Sequence, residues 1–118
     1  MQIELPSIPL QPITDPITAA KGVKLYMLRT DLNHPYISGN KLYKLKYNLE
    51  AACRANKGCL LTFGGAYSNH IAAVAAAGKA YGFKTIGVIR GEEHAILNPT
   101  LQFAISQGMQ LEYVSRDL

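Results

Sequence analysis

At 118 residues and 48% hydrophobic composition, the chain has the length of one ordinary domain and enough apolar material for a core. Its net charge of +4 is mild, and its lysines and arginines are dispersed, with no basic stripe interleaved with aromatics, which argues against a nucleic-acid surface and leaves room for a small anionic ligand. No apolar run approaches membrane-spanning length, and the start, MQIELPSIPLQ, lacks a charged leader followed by an apolar core, so a cytoplasmic protein without a membrane partner is expected.

Residues 1–22 carry Pro6, Pro9, Pro12 and Pro16 and predict an extended arm with a short helix near Pro16–Lys21. VKLYMLR, 23–29, reads as a strand from its β-branched and aromatic content. TDLNHPYISGN, 30–40, reads as a loop. KLYKLKYNLEAACRA, 41–55, puts Leu42, Leu45, Leu49 and Ala52 on one helical face. CLLTF (59–63), KTIGVI (84–89) and QLEYV (110–114) are short apolar segments suited to buried strands. Between them, 68–81 and 98–107 read as helices, the second opened by an Asn98 cap and Pro99. Gly58, Gly82 and Gly108 each precede a strand, where a helix C-terminal glycine belongs. Strands alternating with helices imply an α/β fold with a parallel sheet and flanking helices. Residues 1–56 are expected to form an arm, a strand and a lysine-bearing helix, and 57–118 a small parallel α/β domain.

Cys53 and Cys59 are spaced neither as a redox pair nor as a zinc knuckle. They read as free thiols in a reducing compartment, a disulfide having no secretory context to support it. His34, His70 and His94 lack metal-ligand spacing, so no metal is expected.

Ligands of parallel sheets bind beyond the carboxyl ends of the strands, and the loop after 59–63 is GGAYSNH. Gly64 and Gly65 let backbone approach a ligand closely. Ser68 and Asn69 open an alanine-rich helix, whose free amides suit a carboxylate or phosphate. The same residues also serve as an ordinary cap in a tight turn. The dinucleotide motif, the P-loop lysine and the hydrolase serine elbow are all absent.

ISGNKLYKLKYN, 37–48, collects Lys41, Lys44 and Lys46 at a helix start, without an acid. With Asn40 as cap, Lys41 becomes the first helical residue. The helix dipole and the neighbouring lysines disfavour another ammonium there, and a neutral amine is a nucleophile able to bond a carbonyl cofactor. The plainer reading is a solvated charged face.

SGNKLYKLKYNL and LLTFGGAYSNHIAAVAAAGKAYGFKTIGVIRGE together resemble the 1-aminocyclopropane-1-carboxylate deaminase and D-cysteine desulfhydrase family. The resemblance runs from about Val23 to Val114. It implies a pyridoxal 5′-phosphate enzyme of the tryptophan synthase β-like fold (fold type II). It implies that Lys41 forms the Schiff base, that Asn69 bonds the cofactor ring hydroxyl with Asn40 nearby, and that Ser68 stands beside the substrate. The Ser68–His70 backbone, reached past Gly65, would hold the substrate carboxylate. Ser38 and Tyr43 replace residues usual in the family, and His70 is closer to the desulfhydrases than to the deaminases.

The expected activity is α,β-elimination or ring-opening deamination of a small amino acid, by a lyase or hydrolase of amino-acid metabolism. Family members are longer, and their glycine-rich phosphate cup and pyridine-nitrogen partner lie further along than Leu118. The 118 residues are therefore expected to be an N-terminal part, inactive alone, that self-associates or packs against a further segment. The alternatives are a non-catalytic module binding a small anion at 64–70, and an interaction domain without a ligand.

Overall fold

The computed structural model of the chain describes residues 1–117. Near its start, Asp15 lies in extended backbone, and its Oδ1 accepts from the amides of Ile17 at 2.9 Å and Thr18 at 3.2 Å. With proline at its first position, α1 then runs Pro16–Ala20. The arm before it is more than extended. Its residues Leu10–Ile13 form β1, antiparallel to β2 (Leu25–Leu28), with Leu10 opposite Leu28 and Ile13 opposite Leu25. Prolines had hidden this strand, but a two-stranded ribbon consists only of edges, where a missing donor is tolerated. Every residue of β2 is exposed.

The lysine-bearing helix, α2, runs Asn40–Arg54. Its cap is Gly39 rather than Asn40. Gly39 has φ +68°, a conformation open to glycine and strained for residues with a Cβ, so the turn falls one residue earlier than expected. Asn40 is then the first helical residue and Lys41 the second. Leu42, Leu45 and Leu49 are buried, as their spacing predicts, while Ala52 is half-buried. At the far end the left-handed residue is Asn56, φ +53°, and not Gly58. Asparagine tolerates this conformation better than other residues with a Cβ. Gly82 and Gly108 do adopt it, at φ +80° and +89°.

Glu50 is buried on the same helix and explains one of the lysines. Its Oε1 accepts from Lys46 Nζ at 2.6 Å and from the Ile3 amide at 2.8 Å, while Lys46 also donates to the Ile3 carbonyl at 2.6 Å. Lys46 thus pins the N-terminal arm to α2. Its bond holds the Glu50 carboxyl below its ordinary 4.5, helped by the Ile3 amide. Being depressed, this group stabilises the fold above pH 4.5, and the contribution fades as pH falls below that value. Glu50→Ala is expected to lower Tm by several degrees and to remove hydrogen-exchange protection from the Ile3 amide. An unchanged Ile3 amide would show that the arm is held by other contacts.

The strands β3 (Cys59–Gly65), β4 (Lys84–Arg90) and β5 (Met109–Val114) form a parallel sheet in sequential order. Leu61 lies opposite Ile86, and Ile86 opposite Gln110. The connections are α3 (Asn69–Tyr81) and α4 (Pro99–Ser106), the second capped by Asn98 as its sequence predicts. Both helices pack on the face of Thr85, Gly87 and Ile89, and α2 packs on α3. Leu61 and Phe63 point to the other face, where they are 57% and 69% exposed. Among the described residues no helix is long and apolar enough to cross a membrane.

Candidate functional site

The carboxyl end of β3, where the chain enters the turn to α3, is built around glycine. A Cβ on Gly64 would stand 2.6 Å from Ile71 Cγ1 and 2.9 Å from Ser68 Oγ, so the turn closes this tightly only without one. A Cβ on Gly65 would meet nothing within 4 Å, so this side of the turn is open to a ligand. The Ser68 amide donates back to the Gly65 carbonyl at 3.1 Å.

Ser68 is the cap of α3. Its Oγ accepts from the Ile71 amide at 3.3 Å, which leaves the hydroxyl proton for a second partner. Asn69 follows as the first helical residue and is exposed. The amides at this helix start have no intrahelical acceptor, as at any N-terminus.

His70 links this turn to the lysine helix. Its Nε2 lies 2.8 Å from Thr62 Oγ1 on β3. Burial holds the imidazole below its ordinary 6.5, and the charges of Lys41 and Lys44 lower it further. Helix α2 packs on α3, and the positive charges near the start of α2 reach His70 in the first turn of α3. Lys41 is half-buried and Lys44 exposed, while Lys46 is turned away to Glu50. Asn40, next to Lys41, is exposed.

The approach to Lys41 is fixed by a residue that sequence reasoning passed over. Asn33 is buried, and its Nδ2 donates to the Gly39 carbonyl at 3.0 Å, while the Gly39 amide donates to the Thr30 carbonyl at 2.9 Å. Asn33 Oδ1 is a buried acceptor without a partner among the described residues. Thr62 was missed too. Both lie outside the glycine and lysine motifs, and only the folded chain shows that Asn33 bonds the Gly39 carbonyl and Thr62 meets His70. His34 has a local role, its Nδ1 accepting from the Tyr36 amide at 3.1 Å and the Ile37 amide at 3.0 Å. Among the described residues no three His, Cys, Asp or Glu side chains gather as metal ligands do.

The His70 environment sets a pH dependence. Because the folded imidazole titrates below 6.5, the fold is stabilised fully above that pH, and the contribution is lost as pH falls through the lower folded value. Tm is expected to fall between pH 6.5 and 5 more steeply in the parent than in His70→Gln. Parallel curves for the two proteins would remove His70 from the account.

No family model matches the chain. Over 94 residues, 80% of the chain, it is 36% identical to a Thermotoga maritima protein provisionally named 1-aminocyclopropane-1-carboxylate deaminase. Over 114 residues, 93% of the chain, it is 32% identical to the nocardicin C-9′ epimerase of Nocardia uniformis. A crystal structure described as an ACC deaminase homologue aligns with 96% of the chain at a TM-score of 0.79 and 30% identity. The chain spans 30% and 35% of the two relatives' lengths and 34% of the crystallised chain.

Proposed function

The chain is related in sequence and fold to the N-terminal part of the 1-aminocyclopropane-1-carboxylate deaminase family, and on that premise we propose that it is the lysine-bearing and carboxylate-gripping part of a pyridoxal-phosphate enzyme acting on a small amino acid. The observation that carries this reading is the packing of α2 on α3, with the charge of Lys41 reaching His70 beside the Ser68 cap.

The residues present suit the cofactor. Lys41 has no ion-pair partner among the described residues, so its amine is free to bond a carbonyl group. Gly65 opens onto space that a side chain would have filled. Lys41 would hold the cofactor, with Asn69 against its ring and Asn40 beside it. Once bound, the cofactor supplies an electron sink for bond cleavage at the substrate's α-carbon.

The chain's own groups do the rest. The free amides of Asn69 and His70 grip the substrate carboxylate, assisted by the positive end of the α3 dipole, while the Ser68 amide is held by the Gly65 carbonyl. Ser68 Oγ, already held by the Ile71 amide, presents its hydroxyl proton to the substrate. The Lys41 amine takes up and returns protons at Nζ. His70, kept neutral and bonded to Thr62, fixes the turn without adding a positive charge beside Lys41. The exposed Leu61 and Phe63 face of the sheet suits cover by further polypeptide or a second copy, since parallel sheets are normally buried on both faces.

The test is direct. The protein is incubated with pyridoxal phosphate, reduced with borohydride and mapped by peptide mass spectrometry. The reduced adduct is expected on Lys41. Labelling spread evenly over the surface lysines would overturn the proposal, and saturable binding of acetate or phosphate without an adduct would favour a non-catalytic anion-binding module.

A further inference from the structure

The carboxyl ends of β3, β4 and β5 surround a cavity of about 780 Å³, within the range of roughly 300–1,000 Å³ usual for small-molecule sites. It lies between the GGAYSNH turn and the start of α4. Asn98 fixes that geometry. Its Nδ2 donates to the Ala66 carbonyl at 2.9 Å, and its Oδ1 caps α4 by accepting from the Leu101 amide at 2.9 Å. Ser68 lines the wall, so the cavity is continuous with the proposed carboxylate grip.

Arg90 and Arg116 also line the cavity. The salt bridges among the described residues, Arg29–Asp31 and Lys46–Glu50, lie elsewhere, so among those residues neither guanidinium has an acidic partner. The Arg116 guanidinium lies over the Gly91 turn, at a distance where even a Cβ would make only ordinary van der Waals contact. Gly91 is buried at φ +123°, and a Cβ there would stand 3.5 Å from Arg116 Nε and 3.7 Å from Nη2. Glu92 and Tyr113 share the lining, and burial, then the charge of Glu93, holds the Tyr113 hydroxyl above its ordinary value. Mixed charge of this kind disfavours a bare polyanion and suits a compact ligand with one acidic end.

We propose that this cavity receives the side chain of an amino-acid substrate with a distal carboxylate, and that Arg90 and Arg116 are its anchors. The inference deepens the proposed function by naming a substrate class, and it rests on that reading for the placement of the α-carboxylate at Ser68–His70. The arginines favour such a substrate because a guanidinium meets a carboxylate through paired, charge-assisted hydrogen bonds.

The 118-residue chain is titrated, without cofactor, with glutarate and with butyrate, by calorimetry and by amide chemical shifts. Glutarate is expected to bind about tenfold more tightly or better, the scale of one charge-assisted hydrogen bond, with shifts at the 64–70 turn and around Arg90 and Arg116. The Arg90→Gln/Arg116→Gln variant, its fold checked by circular dichroism, should bind the two acids alike, and the corresponding double lysine variant should recover part of the preference. Equal binding of the two acids by the parent, binding of neither, or an unchanged preference in the double glutamine variant would overturn the inference. The proposed function fails by a different result, an adduct away from Lys41, and that result would leave the glutarate preference intact.

Discussion

Gly78→Ala is expected to destabilise the fold by about 1–3 kcal/mol, the usual cost of overfilling a packed site, even though alanine is the better helix former by ~1 kcal/mol. The conflict is decided by space. A Cβ on Gly78 would lie 2.3 Å from Thr85 Cγ2 and 3.0 Å from the Phe83 carbonyl oxygen. Neither neighbour is the far end of a flexible chain: one methyl belongs to a β-branched residue inside β4, and the other atom is backbone. Helix α3 would have to lift off β4. Ala73 through Ala77 are buried on the same helix, so a small shift is felt along its length. The loss should appear as a Tm lower by about 4 °C per kcal/mol for a domain of this size. Thr85→Ser removes the methyl group and keeps the hydroxyl, and it should restore much of the loss in the double variant. If Gly78→Ala raises Tm, helix propensity dominates and the close approach of α3 to β4 is not as described.

That contact marks a limit of what the sequence discloses. The alanine run showed a helix, and the repeat of helix and strand showed a parallel sheet, because both follow from local composition and period. It did not show that the helix is small-sided in order to lie close to Thr85, since that depends on which strand it crosses. The pairing of the extended arm was hidden for a related reason. Pro12 argues against a strand, and only the partner at Tyr26 turns Leu10–Ile13 into one. At the site, Ser68 and Asn98 were legible as caps because capping is a contact within one turn. Asn40 was misassigned as a cap because asparagine and glycine are both common there, and the choice rests on the φ of Gly39. The lysine cluster read as one unit, yet Lys46 belongs to Glu50 and the arm. That division depends on Ile3, distant in sequence.

Lys41→Ala is expected to reduce pyridoxal-phosphate labelling after borohydride to the background of exposed lysines, while Lys44→Ala leaves it near the parental level. The two lysines are three residues apart on one helical face, and both act on His70. Charge alone therefore does not separate them. Position does. Lys41 stands in the first turn of α2, half-buried and two residues after the Gly39 cap, which Asn33 holds by its carbonyl. Its amine is placed by a backbone that has few alternatives. Lys44 is exposed, and its longer search of solvent disfavours any one geometry. Lys46 is excluded by its bonds to Glu50 and the Ile3 carbonyl. Asn33→Ala supplies a further check, because it removes the bond to the Gly39 carbonyl and leaves Lys41 itself in place. Adduct formation at Lys41 should then slow and its selectivity over Lys44 should fall, with the fold retained by circular dichroism. If Lys44→Ala abolishes the adduct, or if Lys41→Ala moves it wholly to Lys44 at the parental rate, the reactive amine is set by the shared positive field and not by the Gly39 turn.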